Sequence, residues 1–138
     1  MNANELMIGD WVNGWDGRWH PVCVSTISSY PEHRPTIVAC GGYGYSLVDQ
    51  VQPIQLTTEI LEKSGFEPIR QDAGEPYYWQ FFDKEEGHVI NAFRRIYRGL
   101  WIECSNATTE TSVNKQCEYV HELQHALRLA GIKKEIVL

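Results

Sequence analysis

Short segments with β-strand character, separated by tight-turn residues, constrain this chain more than any other feature of its sequence. The pair Asp16-Gly17 separates two such segments, residues 12–15 and 18–27. Because this dipeptide tolerates the positive φ angles of a tight hairpin turn, the sequence predicts an antiparallel hairpin here. The five Trp and seven Tyr of the chain favour sheet as well, since aromatic residues fit pleated, half-buried surfaces.

The rest of the first 53 residues continues this pattern. Residues 28–35 have the composition of a loop, and strand segments follow at 36–40 and 45–51, on either side of the glycine-rich turn 41–44. Four short strands joined by tight turns predict a small SH3-like β-barrel over residues 1–53.

The second part of the chain, residues 54–138, alternates helix and strand signals. Thr57 can cap a short helix that runs to Lys63, and Gly65 is suited to end it. Segments 66–70, 77–83, 89–97 and 100–104 predict an antiparallel meander. The polar run 105–115 predicts a loop, a helix is expected from about 116 to 130, and residues 136–138 suggest a last strand. We therefore predict an α+β fold: the barrel, then an antiparallel sheet with a short linking helix and one packed C-terminal helix, all in one compact unit.

The charge balance limits the classes of partner. The formal net charge is −6 and the isoelectric point is about 5.3. Broad binding to a phosphate backbone needs a surplus of lysine and arginine, so non-specific nucleic-acid binding is not expected. A local basic patch would still be compatible with this composition.

The same composition indicates a compartment. No stretch approaches the roughly 18 to 20 apolar residues of a membrane span, and the first residues lack the pattern of a signal peptide. The four cysteines, Cys23, Cys40, Cys104 and Cys117, are irregularly spaced and include no CxxC pair. They are therefore expected to be reduced thiols, in a cytoplasmic monomer or small homo-oligomer that carries no cofactor.

Three blocks of sequence carry a resemblance that spans the chain in order. They are residues 3–12 (ANELMIGDWV), residues 54–66 (IQLTTEILEKSGF) and residues 119–124 (YVHELQ) with Ala130-Gly131 after them. Together they resemble a family of small uncharacterised proteins encoded by phages and mobile elements of Bacteroides-type bacteria. The resemblance implies a cytoplasmic accessory protein with no assigned catalytic residue. The family usually has Gln at the position of Glu122 and Asn at that of His125.

The segment His121-Glu122-Leu123-Gln124-His125 matches H-E-x-x-H, in which two histidines one helical turn apart bind zinc and the glutamate acts as general base. At about 100° per residue, however, Val120, Leu123, Leu127 and Ala130 form one apolar stripe, and the two histidines fall on nearly the opposite side.

A third zinc ligand is also missing downstream of this motif. The 13 residues after His125 contain no histidine and a single acid, Glu135. We therefore expect a solvated helix face with His121 and His125 exposed, no catalytic residue and no metal. A zinc peptidase built on His121, Glu122 and His125 is the alternative, for which upstream His88 is the remaining candidate ligand.

The arginines of the segment 93–98 are the other candidate site. Strand alternation places Arg94 and Arg98 on one face and Arg95 on the other. Two guanidinium groups on one face can bind a phosphate or a carboxylate, whereas a solvated face paired with nearby glutamates is the structural alternative. The function expected from the sequence is non-catalytic binding of a protein or of a small anionic ligand, with a nucleic-acid accessory protein as a further alternative.

Overall fold

A computed structural model describes residues 5–28, 36–39, 45–47, 51–70, 74, 76–95 and 98–138, of which 28, 36–39 and 45–47 are described by their backbone alone. The chain divides into two compact units, Met1–Ile54 and Gln55–Leu138. Each unit contains an antiparallel sheet, and helices occur in the second, so the α+β prediction is confirmed. In the described part of the chain, neither helix combines the length and the apolar composition needed to cross a bilayer.

The first unit is a five-stranded sheet in the order β4-β3-β2-β1-β5. Its strands are β1 (Trp11–Trp15), β2 (Trp19–Ser28), β3 (Thr36–Ala39), β4 (Tyr45–Leu47) and β5 (Val51–Pro53). The predicted hairpin is confirmed: β1 and β2 pair from Trp11↔Cys23 to Trp15↔Trp19, and Gly17 has a φ of 104°. Leu6, Val12, Val22, Val24 and Val51 form its core.

One strand of this unit was placed wrongly by the sequence pattern. Residues 45–51 were expected to form a single strand, but β4 ends at Leu47 and Val51 begins β5, which pairs with β1. Val51 is 3% exposed, so its burial in the core favours the pairing with β1. Within the described residues no pairing joins β4 to β5, so the SH3-like barrel stays a prediction. The predicted turn at 41–44 and most of the predicted loop 28–35 lie outside the described residues.

The second unit begins with the short helix α1 (Thr58–Lys63), which is followed by a five-stranded sheet in the order β10-β9-β8-β7-β6. The strands are β6 (Glu67–Ile69), β7 (Tyr78–Asp83), β8 (His88–Arg94), β9 (Leu100–Asn106) and β10 (Thr111–Cys117). As predicted, the Thr57 hydroxyl accepts a hydrogen bond from the Ile60 N–H (3.3 Å), and Gly65 follows the helix with a φ of 91°. The predicted meander is confirmed as β6 to β9.

The predicted loop at 105–115 is wrong. Residues 105 and 106 complete β9, and most of the remaining residues form β10, which pairs with β9 along its whole length. The polar residues Ser112, Asn114 and Gln116 alternate along β10 and are exposed, and β10 is the edge strand of the described sheet. The side chains of an edge strand of this kind show no apolar alternation, so its sequence pattern predicts a loop. The Asn106 carboxamide oxygen organises the turn between the strands by accepting bonds from the Thr108 and Thr109 N–H groups.

The last helix, α2, spans Val120–Leu129 and therefore begins about a turn later than predicted. Its predicted apolar stripe is confirmed, since Val120, Leu123, Leu127 and Ala130 are all at most 1% exposed. The strand expected at 136–138 is wrong. These residues lie in irregular structure, where the Val137 N–H donates to the Ser64 hydroxyl (2.9 Å) and Ile136 is buried.

The packing of α2 can be tested with two substitutions of the same residue type. Leu123→Ala removes a side chain that is 0% exposed, so it should lower the free energy of unfolding by about 2 to 5 kcal/mol. Leu129→Ala, in the same helix but at a side chain that is 72% exposed, should stay within about 0.5 kcal/mol of the wild type. Urea denaturation followed by circular dichroism measures both. Equal effects of the two changes would contradict this orientation of the helix.

The cysteines of the two units should differ in reactivity. Burial raises the pKa of Cys104 to about 11 and that of Cys117 to about 12, whereas the Cys23 side chain is only partly buried. At pH 8 a thiol with a pKa near 11 is ionised in about one molecule in a thousand, and the thiolate is the reactive form. In a Cys40→Ser background, a thiol reagent should therefore label Cys23 first. Labelling of Cys104 and Cys117 should require denaturant, and fast labelling of all three would disprove the burial of the last two.

Candidate functional site

Arg94, one of the two arginines singled out by the sequence, lies at the end of β8. Two residues before it, Ala92 is completely buried, and alternation along the strand directs both side chains to the same face of the sheet. The Arg94 guanidinium carbon is 5.1 Å from the centroid of the Trp79 ring, a distance at which a cation is attracted to the face of an indole. This contact places the exposed guanidinium beside β7.

Trp79 itself is 1% exposed and is the largest fully buried side chain among the described residues. Its indole N–H donates a hydrogen bond of 3.0 Å to the Glu62 carboxylate. Glu62 is the penultimate residue of α1, so this bond joins the short helix to the sheet. A guanidinium on the indole face and a carboxylate at the indole N–H therefore border the same ring.

A second arginine, Arg70, lies near this ring, and the sequence pattern did not single it out. Arg70 follows β6, and its guanidinium donates to the carbonyl oxygen of Gly74 (2.7 Å). This bond joins the side chain to Gly74, which precedes β7. The signal was weak in the sequence, since a lone arginine after a short segment has no pattern that marks it. Only the pairing of β6 with β7 and of β7 with β8 brings Arg70 toward Arg94.

These side chains line one cleft of about 560 Å³. Its lining residues are Thr58, Glu62, Arg70, Gly74, Pro76, Trp79 and Arg94. The described lining thus carries two guanidinium groups and one carboxylate. A guanidinium offers planar pairs of N–H donors that match carboxylate and phosphate oxygens. The cleft therefore has the donor groups needed to bind a small anion.

Arg98, the other predicted arginine, does not line this cleft. Strand β8 ends at Arg94, so the alternation expected to place both arginines on one face does not extend to Arg98. Its side chain lies in the connection to β9, is 85% exposed, and approaches the Glu118 carboxylate to 3.8 Å. An ion pair with this exposure contributes little, and Arg98 fits the solvated alternative.

A second cleft of about 500 Å³ lies at the C-terminal end of α2. Arg128, Lys133 and Lys134 are among its lining residues, but the helix end carries a partial negative charge from its last carbonyl groups. Burial lowers the pKa of Lys134, and its ammonium lies 4.2 Å from the centroid of the Phe81 ring. The negative helix end and the Glu135 carboxylate in the lining make this cleft less suited to an anion than the one at Trp79.

The histidines of the HELQH segment differ from the prediction. His121 is 5% exposed and therefore buried, not solvated, while His125 is partly exposed. The His121 ring stacks on Tyr119 at 5.8 Å with an interplanar angle of 8°, and it meets the His125 ring edge-on at 5.6 Å. The prediction failed because Tyr119, just before the helix, lies beside the face that helix periodicity assigned to solvent.

Glu122, the expected general base of the peptidase alternative, has a structural role. Its carboxylate accepts hydrogen bonds from the N–H groups of Glu118 (2.6 Å) and Tyr119 (3.0 Å), at the start of α2. This is the glutamate half of a capping box. Both bonds end on the same carboxylate oxygen, Oε2, and tie the side chain to the backbone that precedes α2. Among the described residues, no three His, Cys, Asp or Glu side chains are grouped as metal ligands.

No protein-family model matches this chain, and no curated protein and no solved structure has significant similarity to it.

The capping role of Glu122 can be separated from a catalytic role by two substitutions. Glu122→Ala removes the acceptor and should lower the free energy of unfolding by about 0.5 to 2 kcal/mol, the usual range for a lost helix cap. Glu122→Gln keeps one carbonyl oxygen and should retain most of the stability. Thermal unfolding of the two variants tests this, together with a peptide-cleavage assay of the wild type and both variants. Cleavage that is abolished equally by both changes would instead support a general base.

Proposed function

We propose that this protein is a non-catalytic binding module for a small anionic ligand, which is held in the cleft between Arg70 and Arg94. The observation that carries the proposal is the convergence of these two guanidinium groups, one from the residue after β6 and one from the end of β8, on one cleft. Its volume of about 560 Å³ falls within the range of about 300 to 1,000 Å³ that is usual for small-molecule sites.

Both arginines are exposed, and each makes a contact that orients its guanidinium before any ligand arrives. Arg94 is packed on the Trp79 ring at 5.1 Å, and Arg70 is bonded to the Gly74 carbonyl at 2.7 Å. Each contact limits the rotamers of a long side chain, so less conformational entropy is lost when an anion binds. A charge-assisted hydrogen bond contributes about 1.5 to 3 kcal/mol, so two such contacts correspond to a dissociation constant on the order of 1 mM.

The cellular role that we propose for the protein rests on its sequence. The resemblance of three blocks to proteins of phages and mobile elements supports a cytoplasmic accessory protein. For the first unit we propose an SH3-like barrel, because the strand order sets β5 beside β1, as a small barrel requires.

A protein partner is a second candidate ligand, for the first unit. Trp15 and Trp19 are 44% and 41% exposed, their rings lie 5.3 Å apart, and exposed tryptophans are enriched at protein interfaces.

Binding by the cleft can be tested with three arginine variants. The ligands are inorganic phosphate, citrate, L-glutamate, O-phosphoserine and AMP, screened by thermal shift and then titrated by calorimetry. Arg94→Ala and Arg70→Ala should each weaken the best ligand by at least about tenfold, which corresponds to the loss of one charge-assisted contact. Arg98→Ala removes a guanidinium of the same segment outside the cleft and should leave the affinity unchanged.

Arg94→Lys provides a second variant in case Arg94→Ala unfolds. It keeps the charge but loses the planar pair of donors, so it should weaken binding without a large loss of stability. The proposal would be contradicted if none of the five ligands stabilised the wild-type protein. It would also be contradicted if Arg98→Ala weakened binding as much as Arg94→Ala.

A further inference from the structure

Among the described lining residues of the Trp79 cleft, Glu62 is the one that a simple anion site does not explain. Its carboxylate shares the cleft with Arg70 and Arg94, and it would repel a bare phosphate or carboxylate that bound between them. A cleft that served only to bind an anion would be expected to place a neutral donor at this position.

The carboxylate is held at the cleft by the fold. The indole N–H of Trp79 is buried with its ring, and Glu62 accepts its hydrogen bond at 3.0 Å. If Glu62 rotated away, the buried N–H would lose this acceptor, which is energetically unfavourable. The indole uses only one of about four acceptor positions that a carboxylate offers, so Glu62 retains capacity to accept bonds from a ligand.

The charges of the described lining indicate a ligand with complementary charges. Two guanidinium groups complement two acidic groups, and one carboxylate complements one ammonium group. Starting from the proposed anion-binding function, we infer that the ligand is a small amino acid with a second acidic group. This chemical class includes acidic amino acids and phosphorylated hydroxy-amino acids. Such a ligand has a net negative charge, and its ammonium group converts the repulsion from Glu62 into an attraction.

Two pairs of compounds isolate the contribution of the ammonium group. L-glutamate is compared with glutarate, which has the same two carboxylates and no ammonium group. O-phosphoserine is compared with 3-phosphoglycerate, in which a hydroxyl replaces the ammonium group. Calorimetric titration of the wild-type protein should show that at least one ammonium-bearing compound binds about tenfold or more tightly than its partner.

Glu62→Gln then tests whether Glu62 is responsible for this preference. The carboxamide oxygen of glutamine can still accept the bond from the Trp79 indole, so the variant should fold. The ratio of affinities within each pair should fall close to one, because the charge that attracts the ammonium group is gone. Glu59→Gln is the matched control, since Glu59 is an exposed residue of the same helix outside the cleft, and it should leave the ratio unchanged.

The outcomes separate this inference from the proposed function. If glutarate and 3-phosphoglycerate bind the wild type as tightly as their partners, the inference is wrong and the anion site stands. A preference that persists in Glu62→Gln also overturns the inference. If none of the four compounds binds and phosphate, citrate and AMP fail as well, both proposals fall. The comparison of ligand pairs in the wild type needs no variant, so it remains decisive even if Glu62→Gln does not fold.

Discussion

The burial of one indole is the constraint on which the second unit depends. Trp79 is almost completely excluded from solvent, and its N–H would cost about 1 to 3 kcal/mol if it were left without an acceptor. Glu62 supplies that acceptor from α1, so satisfying the indole also fixes the short helix against the sheet. The indole face is then where Arg94 packs. The cleft therefore forms around a packed, buried ring, while its charged residues Glu62, Arg70 and Arg94 are exposed at its rim.

The HELQH segment illustrates how a catalytic pattern can arise from structural requirements. Glutamate at the third position of a helix caps the chain before it, and here Glu122 accepts two backbone hydrogen bonds. Leucine in the middle of the pattern is the buried residue Leu123, and His121 stacks on Tyr119. Each of these residues has a structural role that depends on local geometry, and none of these roles needs a metal ion.

Local signals predicted much of the fold because their causes are local. The turn at Gly17, the cap at Thr57 and the stripe of Val120, Leu123, Leu127 and Ala130 each follow from backbone conformation or from helix periodicity. Strand β10 was missed because a polar edge strand is held by backbone pairing, which the side-chain pattern does not record. The burial of His121 was missed because helix periodicity does not account for a ring just outside the helix.

The candidate site likewise contains one residue that the sequence predicted and others that it did not. Arg94 could be selected from the sequence, because three arginines in one short segment form a visible cluster, but its predicted partner Arg98 lies outside the cleft and pairs with Glu118. Arg70 and Glu62 are distant in sequence and carry no motif. By itself the sequence determined the fold class, the hairpin, the helix cap and the apolar stripe, since each is specified by neighbouring residues. Only the tertiary structure decided which charges meet, because pairing of β6, β7 and β8 and the buried Trp79 bring distant segments around one ring.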